Sequence, residues 1–239
     1  MGSELEYTLA VPGEALLEQI LFDPQVAQVR REPYRLLNMA TIYYDTRDRR
    51  LRTLRWTLRL RQENEALVAT LKTPAQGRIR GEWACPAANI RDAIPVLLEQ
   101  GAPADLPDLL EDQPLEPVCA AQFTRRAADL AFADGTVCEL CGDVGLLAGG
   151  GREEPLCEVE LEWKSGSAET VEAFARELQE RFSLREEPRS KFARAAALAA
   201  DFTRDCVARS VRNGTNPHYG VDFEPALWQL GARVAGDNI

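Results

Sequence analysis

Acidic residues alternate with apolar ones along two segments that are far apart in the chain. Glu4 and Glu6 lie near the start, and Glu158, Glu160 and Glu162 form a downstream run. In a β-strand this period of two places the carboxylates on one face and the apolar side chains on the other. Carboxylate oxygens are the ligands that hard divalent cations prefer. The two segments therefore predict a pair of strands that supply a metal site, against the simpler alternative of two solvated outer faces.

Basic residues follow the same period on other segments. In the run from residue 55 to residue 61, Arg59 and Arg61 share a face with Thr57, and three apolar side chains share the opposite face. Further cations lie at Lys72, Arg80 and Arg125. A guanidinium fork matches phosphate oxygens and stays charged at any working pH, so several converging arginines indicate a polyanionic ligand. A solvated sheet face would give the same pattern, but acidic and basic rows on separate strands favour a site where a metal meets phosphates.

Composition limits the classes of partner and the compartment. The chain has 239 residues, 45% of them hydrophobic, and a formal net charge of −10. Nucleic acids and anionic membranes bind basic surfaces, so neither is expected as a partner. Acids fill the first 20 residues where a signal peptide has an apolar core, and the apolar run at 195–200 is too short to span a bilayer. These features predict a cytoplasmic protein whose six cysteines are reduced core thiols, and they leave its oligomeric state open.

The elements that would position these side chains are short strands followed by helices. Alternating runs predict an antiparallel meander of strands at residues 39–45, 55–62, 66–72, 78–84, 120–127, 129–133, 137–143 and 157–164. Helical spacing is present at 14–22 and from Asn89 towards Gln100, where Pro95 is expected to bend the helix. Ser167 and Ser190 are placed to cap two later helices, the second reaching about Arg204. The fold class is therefore α+β, with residues 1–204 as one domain and 205–239 as a tail with a possible short helix.

Eight motifs in a fixed order resemble the CYTH family, also called the triphosphate tunnel metalloenzymes. In chain order they are Glu4-x-Glu6, Tyr43-Tyr44-Asp45-Thr46, Leu58-Arg59-Leu60-Arg61, Thr70-Leu71-Lys72-Thr73, Arg80-x-Glu82, Asp143-x-Gly145, Glu158-x-Glu160-x-Glu162 and Ser190-Lys191. The resemblance covers about residues 3 to 204. It implies an eight-stranded antiparallel β-barrel with flanking helices, whose bore is lined by acids and bases.

The resemblance also implies a function and a set of site residues. It implies metal-dependent hydrolysis of a triphosphate-containing small molecule, with inorganic tripolyphosphate as the leading substrate and Mg²⁺ or Mn²⁺ as cofactor. The implied metal ligands are Glu4, Glu6, Glu158, Glu160 and Glu162, and the implied substrate-binding cations are Arg59, Arg61, Lys72, Arg80, Arg125 and Lys191. Glu4, Glu6, Arg59 and Lys72 are the expected catalytic residues. Phosphoryl transfer depends on positioning and charge neutralisation, which such a set supplies.

One position departs from the family pattern. The N-terminal signature of the family continues as Glu-x-Glu-x-Lys, and this chain has Thr8 at the lysine position. Losing this cation favours the first alternative, a non-catalytic tunnel that binds polyphosphate or a nucleotide. Lys164, at the matching place after the downstream acids, is a candidate to replace the missing charge. The second alternative is another reaction of the same tunnel, either thiamine triphosphatase or adenylyl cyclase.

Overall fold

Nine strands and seven helices account for the regular structure of the part of the chain described by the computed structural model, residues 5–74, 81–111 and 113–200. In chain order they are β1 (Glu6–Ala10), α1 (Glu14–Leu21), α2 (Pro24–Val29), β2 (Arg35–Asp45), α3 (Arg50–Thr53), β3 (Thr57–Glu63), β4 (Ala66–Lys72), β5 (Glu82–Pro86), α4 (Ile90–Glu99), α5 (Leu106–Leu110), β6 (Glu116–Ala131), β7 (Val137–Gly149), β8 (Arg152–Ser165), α6 (Ala168–Phe182), β9 (Arg185–Glu186) and α7 (residues 191–200). Glu4, Arg80, Cys206 and the tail predicted at 205–239 lie outside these ranges.

The strands form one antiparallel sheet in the order β5-β4-β3-β2-β6-β7-β8-β1-β9. Consecutive strands pair as neighbours from β2 to β5 and from β6 to β8, which confirms the predicted meander. The expected closed barrel of eight strands differs from what is seen. Within the described ranges the sheet has nine strands and two edges, because the two-residue strand β9 adds to β1 and no ladder joins it to β5.

Strand alternation gives the sheet a charged face and an apolar face. We define the charged face by Thr8, Arg61, Arg125, Asp143 and Glu160, which lie in register on neighbouring strands. Intervening residues such as Leu9, Leu58, Leu140 and Leu161 define the apolar face and are buried. Because successive side chains of a strand point to opposite sides, the two faces can carry different chemistry on the same strands.

Helices cover both faces. On the apolar face, α1 and α6 pack over β7, β8 and β1, while α4 and α5 pack over β3 to β5. Asn89 and Ser167 cap α4 and α6 through their side chains, as predicted, and α4 continues through Pro95. The helix α7 packs instead on the charged face, where Ala195 and Ala196 contact the cluster around Met39, Tyr43 and Phe123. The charged face is thus enclosed in part by a helix.

Two smaller expectations can also be compared with the structure. The described cysteines, Cys85, Cys119, Cys138, Cys141 and Cys157, are all unpaired. Cys138 and Cys141 are three residues apart on β7, so their side chains point to opposite faces and cannot share one metal ion. In the described ranges, no helix is both long enough and apolar enough to cross a membrane.

Candidate functional site

Three carboxylates converge on the charged face. Asp143 on β7 and Glu158 and Glu160 on β8 are 0%, 1% and 9% exposed, and each offers an oxygen within 4.8 Å of the others. The ladder explains the convergence, because Asp143 pairs directly with Glu158, and Glu160 is the next residue of β8 on that face. We call these residues the acid trio. Buried carboxylates concentrate negative charge and require cationic partners, so the trio should have positively charged side chains around it.

Three cations among the described residues contact the acid trio. Arg125 on β6 donates two hydrogen bonds to Asp143, of 2.8 and 2.7 Å, and a third to Glu160. Lys191 lies 2.8 Å from Asp143 and also contacts Glu158 and Glu160. Arg194, one turn along α7, donates a 2.6 Å hydrogen bond to Glu158. The trio and these cations form one continuous ionic network between β6, β7, β8 and α7.

The network shifts the pKa values of its members in different directions. Burial raises the pKa of Glu158, and the nearby Lys191 ammonium offsets this only in part. Burial acts on Glu160 in the same direction, but Lys191 and Arg125 together hold the pKa of Glu160 well below its usual value. Burial opposes the charge of Lys191, yet the carboxylates of Glu160, Asp143 and Glu158 raise its pKa. Lys191 therefore stays protonated at physiological pH.

A second group of cations lies across the charged face on β3. Arg61 is 9% exposed, and its Nε donates a 3.0 Å hydrogen bond to Thr41. Burial, reinforced by the charges of Arg59 and Arg125, lowers the pKa of Arg61 to about 10. Arg59 is half-buried, and its Nε has no hydrogen-bond partner among the described residues. A buried guanidinium N–H without an acceptor is costly, so this group is suited to bind an anion.

Lys72 completes the described cations of the sequence motifs. It ends β4, where it pairs in register with Glu82 of β5, and its Nζ lies 3.4 Å from the Glu82 carboxylate. Arg59 pairs with Thr70, and Lys72 is two residues further along β4, so the side chains of Arg59 and Lys72 lie on the same charged face. The predicted cation at Arg80 lies outside the described residues. The motif cations that are described, Arg59, Arg61, Lys72, Arg125 and Lys191, all belong to the charged face or reach it.

The position of Lys191 depends on how α7 begins and packs. Ser190 caps the helix by accepting a 3.2 Å hydrogen bond from the backbone N–H of Ala193, as predicted. Phe192 stacks on Tyr43 with ring centroids 5.1 Å apart. Gly149 of β7 allows the close approach, because a Cβ at this position would lie 2.2 Å from the carbonyl oxygen of Ala195. These contacts fix the first turn of α7 over the acid trio.

The predicted metal ligands occupy different positions relative to the acid trio. Glu158 and Glu160 belong to it, and the side chain of Glu6 on β1 reaches the carboxyl group of Glu160. Glu162 does not belong to the trio. It is partly exposed, and its carboxylate accepts a 2.9 Å hydrogen bond from the ammonium of Lys164. Glu4 lies outside the described residues, so its predicted role as a ligand stays a prediction.

Thr8 and Lys164 do not share a position. Thr8 lies opposite Glu160 in the ladder and donates a 3.3 Å hydrogen bond to Glu6. Lys164 lies four residues further along β8 and pairs with Glu162 and more weakly with Glu139. Lys164 thus pairs with the acid opposite Glu6, not with Glu160, and its role as a replacement for the missing lysine charge stays a prediction. Glu160, the residue opposite Thr8, is contacted by the ammonium of Lys191.

Sequence reasoning left two charged residues of this network unassigned. Asp143 was part of a motif but was not counted as a metal ligand, although it is the least exposed of the acids on the charged face. The signal for it in the sequence is an acid flanked by small and apolar residues in a predicted strand, a setting that indicates a buried carboxylate. Arg194 was not identified at all. Its spacing of three residues from Lys191 on a helix was the signal, because side chains at that spacing share a face.

The acid trio fits a divalent cation such as Mg²⁺ or Mn²⁺. Carboxylate oxygens are the hard ligands such ions take, and three of them within 4.8 Å of one another can coordinate a single ion. Glu6, which reaches Glu160, can add a further oxygen. Arg59 and Arg61 flank the same face with hydrogen-bond donors for phosphate oxygens. The charged face can therefore hold a metal and a polyphosphate side by side.

One curated protein has a similar sequence over much of this chain. The chain is 27% identical over 186 residues to an inorganic triphosphatase of Haemophilus influenzae, an alignment that covers 74% of this chain and 50% of that protein. The chain thus spans about half the length of that curated relative.

Solved structures with a similar course of the chain include two proteins below 20% identity. One, from Pyrococcus horikoshii OT3, has 18% identity and a TM-score of 0.49 and covers 80% of this chain and 96% of its own. The other is a putative adenylyl cyclase from Hippeastrum described as having a dominant triphosphatase activity. It has 15% identity, a TM-score of 0.48, and coverage of 91% and 99%.

The family match rests on most of the described chain. A model of the CYTH domain matches residues 4–196, which include every strand of the sheet, the acid trio and the arginines of β3 and β6. The predicted resemblance is therefore confirmed, and this chain belongs to the CYTH domain family.

Proposed function

We propose that this protein hydrolyses a triphosphate substrate, inorganic tripolyphosphate, in a reaction that requires Mg²⁺ or Mn²⁺. The observation that carries the proposal is the buried acid trio on the same sheet face as Arg59 and Arg61. A buried set of acids beside incompletely paired guanidinium groups suits a ligand that is itself a metal–polyanion complex. The relative named inorganic triphosphatase supports the choice of substrate.

The residues divide into a metal-holding group and a phosphate-holding group. Asp143, Glu158 and Glu160, with Glu6 and the predicted Glu4, would hold one or two divalent ions. An ion bound there would supply positive charge to the phosphate oxygens and help orient the attacking water. The sheet face that these acids share with the arginines would form the wall of the triphosphate tunnel that the family resemblance implies.

The cations act on the substrate directly. Arg59 and Arg61 bind phosphate oxygens through guanidinium N–H groups, Lys72 adds a point charge, and Arg125 and Lys191 reach the phosphates nearest the acid trio. Negative charge spreads over the phosphate oxygens as the terminal P–O bond breaks, so fixed cations stabilise the transition state more than the ground state. Water attack on the terminal phosphorus releases phosphate and diphosphate. Arg80 is proposed for the same role from its motif.

A substrate comparison tests this proposal. Phosphate release is measured from tripolyphosphate, ATP and thiamine triphosphate with Mg²⁺, with Mn²⁺ and with a chelator. We expect turnover of tripolyphosphate that stops when the ion is removed. Preferred turnover of thiamine triphosphate, or formation of cyclic AMP from ATP, would assign one of the other reactions instead.

A second function is favoured by Thr8. Thr8 lies opposite Glu160, where the family signature has a lysine, so the phosphate-holding group has one cation fewer. A protein that binds polyphosphate or a nucleotide without turnover fits this loss. Thermal stabilisation by tripolyphosphate with no phosphate release under any metal condition would establish binding alone.

A further inference from the structure

Lys191 occupies the place among the three carboxylates where a metal ion would bind. Its Nζ lies 2.8 Å from Asp143 and contacts Glu158 and Glu160 as well, so one ammonium touches every member of the acid trio. The trio oxygens lie within 4.8 Å of one another, which leaves room for one cation among them. An ammonium and a divalent ion therefore compete for the same oxygens.

The local charge count makes this competition strong. The trio carries three negative charges and Glu6, which reaches Glu160, adds a fourth, whereas Lys191, Arg125 and Arg194 contribute three positive ones. Adding a divalent ion without rearrangement would change this balance from one excess negative charge to one excess positive charge, beside Arg61. Uncompensated buried charge is strongly unfavourable. Either one of the cations leaves the trio, or an anion enters with the metal.

Lys191 is the cation best placed to leave. Arg125 is held by two parallel hydrogen bonds to Asp143, of 2.8 and 2.7 Å. Arg194 contacts Glu158 alone within the trio and is also held by Glu187, 3.8 Å away. Lys191 carries a single ammonium on a long flexible side chain at the first residue of α7. Rotation about its side-chain bonds can move the ammonium without moving the helix, whereas a bidentate guanidinium loses two bonds at once.

We propose that Lys191 is the resident counter-ion of the acid trio, that a divalent cation binds by displacing its ammonium, and that the displaced ammonium then binds the polyphosphate. The last clause rests on the proposed function. Metal and polyanion then assist each other, since the anion gives Lys191 a new partner and the metal frees it. Linkage requires this assistance to be equal in both directions, and couplings of about 5- to 150-fold are usual.

Lysine ammonium NMR tests the displacement in the unmodified protein. Lys72, Lys164 and Lys191 are the three lysines of the chain, so ¹⁵N-lysine labelling gives an assignable spectrum. We expect Mg²⁺ to shift the ammonium signal of Lys191 and to leave that of Lys164 in place, because Lys164 pairs with Glu162 outside the trio. Mg²⁺ binding detected by calorimetry with an unmoved Lys191 signal would overturn the proposal, as would the absence of any binding of Mg²⁺ or Mn²⁺.

A charge-removing variant gives a second measurement. Lys191→Met should bind Mn²⁺ about tenfold or more tightly than the wild-type protein when no phosphate is present. Arg176→Met is the control, because Arg176 pairs with Glu172 on the exposed side of α6, away from the trio. Circular dichroism establishes whether each variant is folded, and the NMR titration decides the matter alone if Lys191→Met is not. Unchanged or weaker Mn²⁺ affinity in folded Lys191→Met would contradict the proposal.

The two proposals can fail separately. Hydrolysis of tripolyphosphate together with an unmoved Lys191 signal would leave the proposed function standing and reject the counter-ion role. Displacement of Lys191 by Mg²⁺ without phosphate release from any triphosphate would do the reverse.

Discussion

Glu160 is the residue at which the metal-holding and phosphate-holding groups meet. It contacts Lys191 and Arg125, and Glu6 reaches it from the neighbouring strand. Its pKa stays well below the usual value because the two cations outweigh the effect of burial. We therefore expect removal of its charge to disturb both the proposed metal binding and the proposed phosphate binding.

The first prediction concerns the charge of Glu160. Glu160→Gln keeps the size of the side chain and removes a metal-binding charge, so we expect metal-dependent turnover to fall by more than about 100-fold. The measurement is phosphate release across a Mg²⁺ and Mn²⁺ titration. Glu162→Gln is the matched control on the same strand face, since Glu162 pairs with Lys164 outside the trio. Equal losses in both variants would return Glu162 to the metal site.

The second prediction concerns Arg59. Its buried Nε lacks a hydrogen-bond partner within the described ranges of the chain. Arg59→Ala should therefore raise the KM and lower the kcat together, because a phosphate clamp acts in both the ground state and the transition state. Steady-state kinetics with tripolyphosphate measure both constants. Arg47→Ala, at an exposed position in the turn before α3, is the control. If neither constant moves for Arg59→Ala, the phosphates do not reach β3.

The third prediction concerns Thr8. Thr8→Lys should increase triphosphate affinity or turnover by about 1 to 3 kcal/mol, because the new ammonium adds a charge-assisted hydrogen bond to phosphate. Thr8→Met has a similar length without the charge and should have no such effect. Kinetics and calorimetry with tripolyphosphate compare the three proteins. A Thr8→Lys protein that matches the Thr8→Met protein would favour the binding function over catalysis.

Residue identity predicted the charged face better than it predicted the contacts on it. Period-two alternation was sufficient to place Glu158, Glu160 and Arg61 on one side of their strands, because the pleat fixes that geometry locally. The partners were not local. Alignment of the two acidic motifs places Lys164 at the position that matches Thr8. In the β1–β8 ladder, however, Thr8 lies opposite Glu160, four residues before Lys164. Register depends on the whole sheet and cannot be read from either segment alone.

At the scale of elements, the length of β6 differs from what the local sequence pattern predicts. The sequence suggested two strands at 120–127 and 129–133, whereas β6 runs unbroken over Glu116–Ala131 and pairs with β7 along 13 consecutive positions. This length brings Arg125 into register with Asp143 in the middle of the ladder. Pairing across the sheet overrides the local interruption at Ala127 and Ala128, which is a common way for tertiary context to extend a strand.

The fourth prediction concerns the contact between Gly149 and α7. A Cβ at residue 149 would lie 2.2 Å from the Ala195 carbonyl oxygen, so Gly149→Ala must push α7 away from the sheet. Overpacking of this kind costs about 1 to 3 kcal/mol of unfolding free energy. The same shift should weaken the Lys191 contacts. Urea unfolding gives the stability change, and the Lys191 ammonium signal reports the displacement.

Gly13→Ala is the control for this substitution. Gly13 has an extended φ of 175°, and an added Cβ meets no atom within 4 Å. We expect its stability and its Lys191 signal to match those of the wild-type protein. An equally stable Gly149→Ala protein with an unchanged Lys191 signal would mean that α7 is not held by this close approach.

At the scale of the molecule, residues that alternate along the strands of one sheet divide between a face that is mainly apolar and a face that carries the candidate site. The apolar face supports two clusters, one under α1 and α6 and one under α4 and α5. The charged face carries the ionic network beside a third apolar cluster, which packs under α7. The net charge of −10 is carried by the whole chain, while the site collects cations on one sheet face. Composition gives the net charge but does not reveal this local collection of cations, because local fields depend on which side chains a fold brings together.

The last prediction uses this separation between adjacent residues of β8. Leu161 is fully buried on the apolar face, and its neighbour Glu160 lies on the charged face. Substitutions at these two adjacent residues should therefore affect stability and activity separately. Leu161→Ala should lower the unfolding free energy by about 2 to 5 kcal/mol through the cavity it leaves. Its KM for tripolyphosphate should stay at the wild-type value below the unfolding transition.

Glu160→Gln provides the opposite combination, with a large loss of turnover and a smaller loss of stability. Urea unfolding and steady-state kinetics on both variants measure the four quantities. A Leu161→Ala protein that remains folded at the assay temperature but shows a raised KM would mean that packing on the apolar face sets the position of Glu160. Packing on the apolar face would then influence substrate binding on the charged face, and the side of the sheet on which a residue lies would not be enough to predict its role.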